Sequence, residues 1–278
     1  MLQTQPMVRV KNAVIPALGL GTWQLEGSDC SDIVERALRM GYRHIDTAQM
    51  YGNEEQVGLG LKNSRIERKN IFLTTKVWYE SFQGDQLKAS VDKSLRKLKT
   101  DYLDLLLLHW PVFEDTTMEH TLDALMQVKE EGKTRHIGIS NFNTKQLEQA
   151  DKHTSGQLVT NQVEYHPFLD QSPVLNTVHR LEMSLTAYSP LARGKVFQNE
   201  TIKETARHKG VNEAQVVLAW LLNQRDVIAI PKTASPEHLE SNLKAVEVGL
   251  TLEELERLNR LRSRDGRLID PGFAPDWD

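Results

Sequence analysis

Four side chains in this sequence have the right types to move a proton: Asp46, Tyr51, Lys76 and His109. Three of them close short apolar runs: Asp46 in YRHIDT (42–47), Lys76 in NIFLTTKVW (70–78) and His109 in YLDLLLLHW (102–110). Tyr51 follows Asp46 by five residues in DTAQMYGNE and can reach the same place from its loop. A lysine ammonium beside a tyrosine hydroxyl favours the phenolate and lowers its pKa from about 10 toward neutral pH. An aspartate paired with the lysine keeps it charged and aimed. A nearby imidazole can donate to the oxygen that the tyrosine protonates. Such a set delivers a proton to a carbonyl oxygen, so another group must bring a nucleophile or hydride to the carbon. Singly, each residue has a plainer role: a rim histidine, a solvated lysine, an aspartate capping a helix, a tyrosine packed on Trp78. Only convergence makes them a site, and convergence is a property of the fold.

The chain repeats one pattern that would bring them together. Eight β-rich apolar runs occur in order: 17–23, 42–47, 70–78, 102–110, 134–141, 158–165, 183–190 and 226–232. Continuous apolar runs of this length suit strands buried on both faces of a parallel sheet. Amphipathic segments separate them, among them 31–40, 84–98, 121–132 and 212–224. Asp85, Asn212 and the Ser235-Pro236 pair mark helix starts, and Gly41 and Gly132 mark ends. Eight strand–helix units without a linker predict a (β/α)8 barrel forming one domain over 1–278, with a doubly wound open sheet as the structural alternative. VRVKNAVI (8–15), with its Lys-Asn turn, reads as an N-terminal β-hairpin, placed to plug the barrel floor. Two helical patterns, 236–246 and 251–262, follow the eighth strand, and a tail over 263–278 rich in Pro and Gly comes last. In a barrel the strands' C-terminal ends share one face, where barrel enzymes keep their chemistry. Asp46, Lys76, His109, Ser140, Asn141, Gln162, Tyr188, Ser189 and Lys232 would all stand there.

Composition narrows the classes. The 278 residues are 39% hydrophobic and 26% charged, ordinary for a globular protein, and a net charge of −4 argues against nucleic-acid or anionic-membrane partners. A single cysteine, Cys30, excludes an internal disulfide framework and suits a reducing compartment. MLQTQPMVRV lacks the apolar core of a signal peptide, so a cytoplasmic location is expected. HExxH, Cys/His clusters, GxSxG and Walker A patterns are missing, and no metal is expected. GLGLKN (58–63) breaks the GxGxxG dinucleotide pattern at its last position and follows no strand. Lys76 as a Schiff-base lysine stays an alternative, opposed by the paired aspartate that would keep it protonated.

GLGTW (19–23), GYRHIDTAQMYGNE (41–54), TTKVW (74–78), DYLDLLLLHWP (101–111), GISNF (138–142), NQVEYHP (161–167), YSPLARG (188–194) and IPK (230–232) together resemble the aldo-keto reductases, from about residue 8 onward. The ending RLIDPGFAPDWD (267–278) is most similar to the bacterial 2,5-diketogluconate reductase B group, whose members also reduce methylglyoxal. The resemblance implies a (β/α)8 barrel that binds extended NADPH without a Rossmann fold and reduces aldehydes and ketones. It implies Tyr51 as general acid, tuned by Lys76 and Asp46, with His109 orienting the carbonyl. It assigns Ser140, Asn141 and Gln162 to the nicotinamide carboxamide and Tyr188 to stacking on the ring. Gly21, Thr22 and Asp46 join the cofactor set; Ser189, Leu191 and Gly194 lie along the pyrophosphate; Lys232 and Thr233 meet the 2′-phosphate, and Asn242 the adenine.

Two positions depart from the family pattern. His238 stands where arginine is common, and a mostly neutral imidazole cannot make arginine's bidentate phosphate contact. Ser241 stands where many relatives have glutamate. NADPH remains the expected cofactor, with NADH use opened by His238. Trp23, Tyr51, Trp78, His109 and Trp110 would wall the substrate pocket, with Phe113 a weaker candidate, and Trp277 either folds over the mouth or belongs to a free end. A small-molecule carbonyl substrate and a monomer are expected. The competing class is a nicotinamide-binding sensor without turnover.

Overall fold

The structure, a computed structural model, describes residues 5–278. The single-domain reading over 1–278 therefore includes four residues outside the described ones. Eight strands form one sheet whose neighbours follow chain order: β3 (Leu20–Gly21), β4 (His44–Asp46), β5 (Phe72–Val77), β6 (Leu103–Leu108), β7 (Thr134–Ser140), β8 (Leu158–Glu164), β9 (Ser184–Tyr188) and β10 (Val227–Ala229). Every pair is parallel. Strand order never reverses, which removes the doubly wound alternative. The sheet's two edges meet instead: Leu18 bridges Ala229, and Gly21 bridges Lys232. Backbone bonds from Gly19 to Ala229 at 2.8 Å and from Gly21 to Pro231 at 3.1 Å close the seam. Gly21 permits that approach, since a Cβ there would lie 2.7 Å from the Ile230 carbonyl oxygen. The eight-stranded barrel expected from the sequence is the observed fold.

The helices surround it: α1 (Gly27–Met40), α2 (Glu54–Ser64), α3 (Gly84–Leu98), α4 (Met118–Glu130), α5 (Thr144–His153), α6 (Ser172–Arg180), α7 (Glu200–Lys209), α8 (Glu213–Leu222), α9 (Pro236–Leu243) and α10 (Leu252–Asn259). Asn212 caps α8 in a capping box with Gln215, and Ser235 caps α9 ahead of Pro236. Gly41 ends α1 in the left-handed conformation. α3 starts at Gly84, and Asp85 sits in its first turn, where its charge favours the helix dipole. GLGLKN lies inside α2, and its glycines serve packing rather than phosphate binding. A Cβ on Gly58 would collide with the Lys97 carbonyl oxygen, and one on Gly60 would lie 2.6 Å from that of Ser31.

The main core fills the space between helices and sheet, and a second apolar cluster fills the barrel's lower interior. The hairpin β1 (Met7–Val10) and β2 (Ala13–Pro16) belongs to the second cluster. Val8, Val10, Ala13 and Ile15 turn inward onto Phe72, Leu105, Val159 and Ile228 near the strand starts. The floor is therefore closed, and the mouth is the barrel's open end. Cys30 is buried in the first turn of α1, where burial pushes its thiol up to about 11 and leaves it unreactive. Among the described residues no helix is long and apolar enough to cross a membrane.

Candidate active site

Strands β4, β5 and β6 are adjacent, and their ends bring Asp46, Lys76 and His109 to one place. Lys76 is wholly buried, and its ammonium donates to Asp46 Oδ1 at 2.5 Å, the Thr47 carbonyl at 2.9 Å and the Tyr51 hydroxyl at 3.2 Å. The three donations use all its protons. Tyr51 reaches inward from a short 3-10 turn, Gln49–Tyr51, that ends on left-handed Gly52. Gln162, on β8, donates its amide to the second Asp46 oxygen at 2.8 Å, tying the pair to the far side of the barrel. The His109 ring lies edge-on to Tyr51 at 5.7 Å and to Trp78 at 5.2 Å. Its buried Nδ1 has no hydrogen-bond partner among the described residues.

These surroundings set the charge states. Burial alone would push the Lys76 ammonium down, but Asp46 and Tyr51 outweigh it and hold the group above the ordinary lysine value. Burial, helped by Lys76, pushes His109 well below its ordinary value, so the imidazole is neutral at pH 7. The expectation for Tyr51 requires correction. Burial raises its phenol, Lys76 pulls it down and Asp46 raises it again, and the net direction is upward rather than toward neutral pH. The hydroxyl therefore keeps its proton at neutral pH, the state a proton donor must have.

A cavity of about 830 Å3 opens above this cluster. Gly21, Thr22, Trp23, Asp46, Tyr51, Trp78, His109, Trp110, Ser140, Asn141, Gln162, Tyr188, Ser189, Leu191, Gly194 and Lys232 all line it. Lys76 lies behind Tyr51, while Thr233, His238 and Asn242 are outside the lining. Thr233 and Asn242 are buried, and His238 is exposed on α9. The amide residues are held in place: Asn141 donates to the His109 carbonyl at 2.9 Å and accepts from the Tyr188 hydroxyl at 2.8 Å. Ser140 donates to the Gln162 carbonyl at 2.7 Å. Thr22 donates to the Asp46 carbonyl through both its amide and its hydroxyl, each at 3.0 Å. Beyond β9 the loop holds Ser189, Ala192, Arg193 and Gly194 at positive φ, a costly geometry for the three non-glycine residues. The same cavity thus offers a flat ring, Tyr188, with fixed amides near it and two cations, Arg193 and Lys232. These groups fit a nicotinamide dinucleotide.

The other side of the mouth is aromatic. Trp23 meets Tyr51 edge-on at 5.0 Å, and Phe273 stands against Trp78 at 6.0 Å and Trp110 at 5.4 Å. Sequence reasoning missed Phe273, along with Leu268, Ile269, Asp270 and Pro271, which also line the cavity. It offered Trp277 as the tail aromatic, either folded over the mouth or part of a free end. That indole contacts Trp110 at 6.2 Å, lies under the Arg267 guanidinium and donates to Asp270 at 2.8 Å, outside the lining. Nothing in a Pro- and Gly-rich segment distinguishes the aromatic that turns inward. Arg193 and Phe197 were also missed, although Arg193 belongs to YSPLARG. Phe113 is no part of the mouth; it packs between Phe82 and Phe142.

A parallel barrel with a buried proton-donor cluster under a dinucleotide-sized cleft defines a class, the barrel oxidoreductases. The sequence model of the Aldo/keto reductase family matches residues 17–263. Methylglyoxal reductase DkgB of Escherichia coli O157:H7 is 41% identical over 267 residues, covering 95% of this chain and 99% of that protein. The crystal structure of a candidate 2,5-diketo-D-gluconic acid reductase B superposes with a TM-score of 0.96 at 47% identity, over 99% of this chain and 98% of the other. An aspartate-to-alanine variant of Gox0644 in complex with NADPH superposes at 0.91 with 32% identity, over 96% of this chain and 97% of that one. The chain belongs to the aldo/keto reductase family and is a nicotinamide-dependent carbonyl reductase.

Proposed function

We propose that Tyr51 is the general acid of this reductase, with NADPH as the preferred donor and small uncharged aldehydes and dicarbonyls such as methylglyoxal as substrates. The observation carrying this reading is the Lys76 ammonium, shared between the Asp46 carboxylate and the Tyr51 hydroxyl beside a neutral imidazole. The reduced nicotinamide, when bound, supplies the hydride to the carbonyl carbon. Tyr51 gives its proton to the carbonyl oxygen, and the charged Lys76 stabilises the phenolate left behind. Asp46 keeps Lys76 charged and aimed. His109, neutral and fixed at a strand end, donates to the same oxygen and orients it. Ser140, Asn141, Gln162 and Tyr188, which line the cavity, would hold the nicotinamide end of the cofactor. The ammonium's three donations and raised pKa oppose a Schiff-base role for Lys76.

Lys232 and Arg193, both at the cavity, supply cations for phosphate groups and support NADPH. His238, exposed on α9 six residues past Lys232, leaves NADH as a second donor, and His238→Arg should tighten NADPH more than NADH. Equal tightening of both would place His238 away from the 2′-phosphate. Among the described residues lining the aromatic side of the mouth, Asp270 supplies a carboxylate and none supplies a cation, which favours neutral carbonyls over a diketo sugar acid. The protein acts as a monomer in the cytoplasm on this reading. Steady-state oxidation of NADPH and NADH with methylglyoxal, a diketo sugar acid and 4-nitrobenzaldehyde tests it. Tight cofactor binding without turnover of any carbonyl would favour a sensor instead.

A further inference from the structure

We infer that Glu164, a carboxylate at the end of β8, is the positioning residue for the tail wall of the substrate pocket; the inference rests on the reductase reading above. Glu164 is wholly buried. Its Oε1 accepts the Leu268 amide at 2.9 Å, and its Oε2 accepts those of Leu268 at 3.2 Å and Ile269 at 3.0 Å. Among the described residues the other side chain hydrogen-bonded to it is His166, also wholly buried, whose Nε2 lies 2.9 Å from Oε1. The Phe168 amide donates to His166 Nδ1 at 3.3 Å, so the ring's proton sits on Nε2 and points at the carboxylate. Burying a carboxylate is costly unless donors surround it, and two of the three residues donating here belong to the tail.

Position explains why the tail needs such an anchor. Leu268 and Ile269 line the cavity, and Phe273 a few residues on leans against Trp78 and Trp110 beside His109. The same loop beyond β8 grips the tail upstream. Ser263 donates to the Phe168 carbonyl at 3.1 Å, Asp170 donates to the Ser263 carbonyl at 3.0 Å, and a Cβ on Gly266 would collide with the Phe168 oxygen. Glu164 is the last of these grips before the tail enters the pocket. Its residue pairs with Tyr188 across the sheet, so one strand end serves both the tail wall and a ring proposed to hold the nicotinamide end.

Kinetics on the full-length chain test this with Glu164→Gln, which keeps the volume but sets an NH2 against one of the donors. The KM for 4-nitrobenzaldehyde should rise several-fold, by no more than in Phe273→Ala, because the carboxylate acts through the tail. The kcat, the methylglyoxal constants and the NADPH dissociation constant should stay near wild type. In a Phe273→Ala background the same change should add little, because the ring by which the tail meets Trp78 and Trp110 is already gone. Gly266→Ala displaces the tail without touching the carboxylate and should give the same split of KM from kcat, which covers a poorly folding Glu164→Gln. An undiminished KM effect in the Phe273→Ala background overturns the inference, as does a weakened cofactor in place of a weakened substrate. Wild-type protein without turnover would sink the reductase reading instead. Hydrogen exchange of residues 267–275, faster in Glu164→Gln, would still report on the anchor, and unchanged exchange would refute it.

Discussion

The mouth of this barrel has two halves built by different means. One half stands on strand ends: Asp46, Lys76 and His109 extend adjacent strands, and Gln162 ties them across the barrel. The other half is a strap, residues 268–273, laid across the opening and anchored by hydrogen bonds to Glu164. In the first half the backbone is fixed by the ladder on both sides, so polar groups can be held to hydrogen-bond tolerance in a water-poor site. In the second half the same chain length makes few backbone bonds and contributes mainly rings. Chemistry sits on the rigid half and substrate fit on the adaptable one. Variants should therefore separate into those that remove turnover and those that only shift substrate affinity.

Tyr51→Phe should have the largest effect. It removes the proton donor and little contact area, so kcat should fall about 10²–10⁴-fold while the NADPH dissociation constant barely changes. Wild-type turnover in that variant would move the acid elsewhere. Lys76→Met comes next and probes the foundation beneath the acid. It leaves the Asp46 carboxylate buried with the Gln162 amide as its remaining side-chain partner, a loss of about 3–5 kcal/mol in folding stability. Thermal melting reads this directly. Adding Asp46→Asn should return most of the stability and none of the activity, since the uncompensated charge goes but the acid remains untuned. A melting temperature unchanged in Lys76→Met would mean that water or rearrangement replaces the buried ion pair.

The same division governs what could be read from the sequence. Strand ends announce themselves, because a run such as LLLL must be buried and the residue after it must emerge at a defined face; His109 was legible for that reason. The pairing of Asp46 with Lys76 followed from adjacent parallel strands. The direction of the Tyr51 shift did not, since it depends on how deeply the phenol is buried, and burial depth is a three-dimensional quantity. The tail was opaque for a further reason. Its path is set by Glu164, more than a hundred residues earlier, and no local periodicity encodes so distant a contact. Lys232 lies on the cavity and Thr233, one residue on, does not, a difference motif matching cannot resolve.

Phe273→Ala carries the comparison to the strap. Removing a ring that stands against Trp78 and Trp110 should raise the KM for aromatic aldehydes several-fold, roughly 0.5–1.5 kcal/mol if the ring meets the substrate with the usual worth of an edge-to-face contact. The kcat for methylglyoxal should not change. A large fall in kcat with every substrate would show that the strap shapes the chemical step, and the two halves would then be one.

The smallest expected effect is in pH dependence, and it belongs to the strand half alone. Burial lowers His109 well below 6.5, with Lys76 adding to the shift, and burial also lowers His44 and His136. In the unfolded chain these imidazoles take up protons near pH 6.5, whereas in the native state they stay neutral to lower pH. The unfolded state then binds more protons, so stability rises with pH across that window and is lost as pH falls below about 6.5. Melting temperatures measured between about pH 7.5 and 5.5 should decline, and His109→Gln should decline less steeply, because one of the three groups no longer titrates. The raised Tyr51 phenol keeps its proton throughout the neutral range, so kcat should stay flat there. Phe273→Ala should leave both profiles as they are. A pH profile altered by the tail variant would mean that the strap, and not burial on the barrel strands, keeps water from His109.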